Sequence, residues 1–144
     1  MIRLCLKTAL TLTVVAPLLV CAVELPECVE LAATEFDVPA KVFKALAIQG
    51  AEKTVPRPEQ HFGPMGIHNL AIKVAAEGIG ATTEEIKTDS CMNYRAAAWW
   101  LSVPAGGNDS SDIWLAVNRY FYGKTNRSTY PITERVKEIH SQLN

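Results

Sequence analysis

The sequence predicts a single, mostly α-helical domain carrying one disulfide, and three observations support that class. Apolar residues recur at helical spacing in nearly every segment between turn signals, while no run alternates over the length of a strand. Helix starts and stops are marked by Pro, Thr and Asp before the apolar runs and by Gly and Pro after them. With 144 residues and 49% hydrophobic residues, the chain is long enough for one core.

The first stretch reads as an address. Arg3 and Lys7 form a basic n-region, Ala9 to Val20 an apolar h-region, and Val20, Cys21 and Ala22 offer a cleavage site, so residues 1–22 are expected to be a secretory signal. The stretch is short for a spanning helix and holds Pro17, so no stable membrane anchor is expected after cleavage. The mature domain is then 23–144. Losing Arg3 and Lys7 with no acidic residue leaves 12 basic against 15 acidic groups, net −3, which gives no cationic surface for nucleic acid.

Only Cys28 and Cys91 remain after cleavage. In an exported chain they most simply pair, two buried free thiols being the alternative. His61, His68 and His140 are scattered without metal-ligand spacing, so neither a metal nor another cofactor is expected.

The elements follow in order. Cys28, Leu31, Ala32 and Phe36 space a first helix; Pro39 starts a second, largely buried one running to about Glu52. The three prolines and two glycines of Lys53–Gly66 forbid a regular helix and predict a loop or a short irregular β-hairpin. Helical pattern resumes over Ile67–Ala76 and stops at Gly78 and Gly80. Thr82 or Thr83 caps a short turn through Ile86, and Asp89 caps an apolar helix reaching Pro104. "AGGNDSSD" is a loop, and Ser111 or Asp112 opens a helix to Gly123. The last helix, about Thr129–Leu143, has Pro131 in its first turn and Ile132, Val136, Ile139 and Leu143 on one stripe.

Motifs in order carry a resemblance. Cys28 is followed by "PAKVFKALAIQGAE", "GPMGIH", "DSCMNYRAAAWWL" and "WLAVNRYFYGKT". This series resembles the soluble lytic transglycosylase and goose-type lysozyme superfamily, in particular the small members that accompany conjugation, pilus and secretion systems. The resemblance spans nearly all of residues 24–140. It implies a lysozyme-like α domain in the periplasm or cell envelope, with peptidoglycan glycan strands and components of such a machine as partners. It also implies cleavage between N-acetylmuramic acid and N-acetylglucosamine by one carboxylic acid, ending in a 1,6-anhydro ring. That chemistry needs a carboxyl still protonated near neutral pH, which an apolar setting at a helix C-terminus favours.

The chain departs from the family at its acid. The family Glu falls on Gln49 or Gly50, depending on whether the register is taken from Pro39 or Ala45, and neither side chain donates a carboxyl proton. Glu52 is the nearest surviving carboxyl and Glu59 the next. In the elbow, Gly63 and Met65 match, whereas Gly66 and His68 stand where the family has Gln and Asn. The resemblance thus points to Glu52 and Tyr120 as catalytic, and to Gln49, Met65, His68, Phe121 and Tyr122 as substrate contacts. Asp89 is read as a cap, Cys91 as the partner of Cys28, at least one of Trp99 and Trp100 as core, and Trp114 as core. Three functions compete: a transglycosylase, a catalytically silent peptidoglycan-binding or assembly module, and an exported inhibitor or immunity-type protein sharing the scaffold.

Overall fold

The structure, a computed structural model, describes residues 23–52, 59–103, 112–123 and 130–144. The signal segment and most of the two loops foreseen at 53–58 and 105–112 lie outside these residues. So do the alternative helix starts Ser111 and Thr129.

Seven helices and one small hairpin make up the described chain. They are α1 (Cys28–Glu35), α2 (Ala40–Ala51), β1 (His61–Phe62), β2 (Ile67–His68), α3 (Asn69–Ile79), α4 (Thr83–Thr88), α5 (Ser90–Ser102), α6 (Ile113–Tyr122) and α7 (Pro131–Gln142). The fold is mostly α, as the periodicity predicts. Helix α5 occupies the middle, packed by α1, α3, α4 and α6, while α2 bridges α1 and α7. Its buried Ala96, Ala97 and Ala98 let those neighbours approach closely. Phe43 and Leu46 of α2, Ile72 of α3, Ile86 of α4, Leu101 of α5 and Val136 of α7 fill the core.

Local chemistry explains the boundaries. Thr82 and Glu85 form a capping box in which the Thr82 hydroxyl accepts the Glu85 amide and the Glu85 carboxylate accepts the Thr82 amide. Asp89 accepts the Met92 amide at 2.8 Å and Asp112 the Trp114 amide at 2.9 Å. Pro131 occupies the first turn of α7, where its missing N–H costs nothing. The expected disulfide joins Cys28 at the start of α1 to Cys91 in the first turn of α5.

Three expectations are refined. Ile67 and His68 are strand rather than helix, because the backbone pairs Phe62 with Ile67 and His61 with His68 around the Gly63–Gly66 turn, and α3 begins only at Asn69. Trp99 and Trp100 are both half-buried: Trp99 lies over Gly78, where a β-carbon would fall 2.1 Å from the indole, and thereby seals α3 to α5. Trp114 is not enclosed either; it meets the His140 ring edge to face at 5.3 Å, under the Lys137 ammonium, and so ties α6 to α7.

Among the described residues no helix is long and apolar enough to cross a membrane.

Candidate glycan-binding site

The site is built on the "GPMG" turn. Gly63 and Gly66 take φ of 70° and 59°, the left-handed conformation that glycine adopts without a β-carbon penalty. The turn is clamped from inside by Asn93 of α5, which is fully buried. Its Oδ1 accepts the Met65 amide at 3.0 Å, and its Nδ2 donates to the carbonyls of Ile86 at 2.9 Å and Phe62 at 3.2 Å. From the other side the Tyr120 hydroxyl of α6 donates to the Met65 carbonyl at 2.9 Å. The last turn of α2 presses on the same turn, since a β-carbon on Gly50 would sit 2.6 Å from the Pro64 carbonyl oxygen. Three elements distant in sequence therefore hold one backbone segment rigid.

Beside this turn opens a cavity of about 380 Å³. Its hairpin wall carries His61 and His68, whose rings meet edge to face at 5.0 Å. Trp100 of α5 and Tyr120 and Phe121 of α6 supply aromatic surface, and Arg119 a guanidinium. Leu70 and Val74, one turn apart on α3, form an apolar rim that is 64% and 43% exposed. Flat aromatic faces beside scattered donors and acceptors suit a ring that is apolar on its face and polar at its edge. Among the described residues lining this cavity there is no carboxylate.

The sequence-derived site residues divide accordingly. His68, Tyr120 and Phe121 come together in the cavity. Met65 lies beneath, 5% exposed, its backbone gripped by Asn93 and Tyr120. Gln49, Glu52 and Tyr122 do not line the cavity. Tyr122 stacks on Tyr130 at 3.8 Å. Gln49 is half-buried in the last turn of α2. Glu52, the C-cap of that helix, is held by Arg135 of α7: Nε reaches both carboxylate oxygens at 3.1 and 3.2 Å, and a terminal nitrogen bonds Oε1 as well. The Arg135 guanidinium also bonds Glu138. These bonds, that of Glu52 foremost, hold the Arg135 pKa above its ordinary value. Glu59 is exposed, and its carbonyl rather than its carboxylate engages the site, accepting from His61.

Sequence reasoning missed His61, Arg119 and the clamping role of Asn93. A signal for His61 was present: two histidines seven apart flank a four-residue glycine turn, and such a hairpin sets them opposite one another.

Among the described residues no three His, Cys, Asp or Glu side chains gather as a metal site. Comparisons with protein-family models, curated proteins and solved structures give no match to this chain.

Proposed function

We propose that this protein is an exported peptidoglycan-binding domain on a transglycosylase-like scaffold, which grips a glycan strand without cleaving it and serves an envelope-spanning secretion, conjugation or pilus machine. The observation that carries the reading is the composition of the cavity: aromatic and histidine side chains line it, and among the described residues no carboxylate does. Cleavage of the kind the resemblance implies begins with a carboxylic acid protonating the leaving oxygen, and binding needs no such group. Glu52, the best sequence candidate for that acid, spends both carboxylate oxygens on Arg135. Export is supported by the Cys28–Cys91 bridge, since disulfides persist in oxidising compartments.

The test is incubation of the mature chain with purified sacculi, followed by sedimentation and mass spectrometry of the soluble fraction. Co-sedimentation without release of 1,6-anhydromuropeptides is the expected result. Anhydro products that disappear in Glu52→Gln would replace this reading with the enzymatic one. Failure to sediment would remove peptidoglycan as the ligand.

A further inference from the structure

The two cavity histidines present opposite hydrogen-bonding edges. His61 and His68 face each other across the β1–β2 ladder. Nδ1 of His68 accepts the Leu70 amide at 3.2 Å, capping α3. An amide N–H only donates, so neutral His68 carries its proton on Nε2. Nδ1 of His61 lies 3.0 Å from the Glu59 carbonyl oxygen. A carbonyl only accepts, so His61 carries its proton on Nδ1 and keeps a lone pair on Nε2. The backbone thereby selects one donor and one acceptor, on rings 5.0 Å apart that both line the cavity.

We infer that this pair reads the acetamido group of an N-acetylated amino sugar. The Nε2–H of His68 donates to the ligand carbonyl oxygen, and Nε2 of His61 accepts the ligand amide N–H. A secondary amide is donor and acceptor at neighbouring atoms, which is the complement of the pair. A carboxylate or phosphate at this position would bring no proton to His61 and would set its charge against a lone pair. A divalent ion shared by both Nε2 atoms would require His68 to shift its proton to Nδ1 and give up the cap of α3. The inference rests on the glycan-binding reading above and specifies which part of the sugar is recognised.

The mature chain, free of affinity tags and labelled with ¹⁵N-histidine, is examined by ring-nitrogen NMR at pH 8 and titrated with the tetrasaccharide of N-acetylglucosamine. The expected spectrum shows protonated Nδ1 on His61 and protonated Nε2 on His68, and the tetrasaccharide shifts both Nε2 signals. His61→Asn, which lacks an atom at the Nε2 position, binds about tenfold more weakly, the loss of one good hydrogen bond. His68→Asn keeps a capping oxygen and also binds about tenfold more weakly, with its melting temperature unchanged. His68→Gln keeps a donor near the Nε2 position and binds within about threefold of the parent, but melts lower because the cap is gone. Reversed tautomers overturn the inference, as does undiminished tetrasaccharide binding by both Asn variants; in either case the glycan-binding reading stands. If the parent binds neither the tetrasaccharide nor sacculi, both fall together.

Discussion

Replacing Asn93 by Ala tests the clamp beneath the site. The substitution strands three backbone groups in the interior: the Met65 amide and the carbonyls of Phe62 and Ile86. At roughly 1 kcal/mol for each buried group left without its partner, the loss is about 3 kcal/mol, a large fraction of the roughly 5–15 kcal/mol that holds a domain together. For a domain of this size that lowers the melting temperature by roughly 10 °C. A double-mutant cycle makes the mechanism specific. A β-carbon on Gly63 would stand 2.1 Å from the Asn93 amide nitrogen, so Gly63→Ala in the parent displaces the clamp as well as straining a residue with φ of 70°. In the Asn93→Ala background only the left-handed strain, roughly 1 kcal/mol, remains. Urea denaturation followed by circular dichroism should show the double variant more stable than the sum of the singles by at least about 1 kcal/mol. Additivity within about 0.5 kcal/mol refutes the clamp.

Three further outcomes follow from the same structure. Gly50→Ala drives a β-carbon to within 2.6 Å of the Pro64 carbonyl oxygen and should cost about 1–3 kcal/mol in denaturant midpoint, whereas Ala51→Ser on the exposed side of the same turn should cost less than about 0.5 kcal/mol. The double variant Cys28→Ser, Cys91→Ser opens a loop with a sequence separation of 63 and should lose about 4 kcal/mol, and reductant should lower the parent to the same denaturant midpoint. The bidentate Arg95 guanidinium holds the Glu35 carboxyl below the usual 4.5, so its contribution is full above that value and is lost as pH falls through the lower folded value. Because the pair is largely exposed, Glu35→Gln should flatten the acid limb of the stability curve by less than about 1 kcal/mol, and an unchanged limb would show the pair to be energetically silent.

What was legible in the sequence was local. Asp89, Thr82 and Asp112 cap helices through bonds two or three residues away, so spacing alone locates them, and Val136 and Ile139 lie on a stripe that periodicity reveals. The site depends on partners far apart in the chain. Arg135 meets Glu52 across 83 positions, and a lone Glu at a helix end gives no sign of that partner. Asn93 reads as a helix-start residue until Met65, 28 positions earlier, is folded against it. His61 becomes visible only once the hairpin register is known, because a one-residue slip would turn it to the opposite face. The buried pair of Thr133 and Asn118, joined by a hydroxyl-to-carbonyl hydrogen bond between α7 and α6, lay hidden for the same reason.

The central claim is that the cavity holds a glycan strand but has no acid with which to cut it. Its most direct measurement is mass spectrometry of purified sacculi incubated with the mature chain, with sedimentation of the protein followed in the same tubes. The account predicts that the protein pellets with the sacculi and that no 1,6-anhydromuropeptide appears. Anhydro product from the parent chain, abolished by Glu52→Gln, would contradict it.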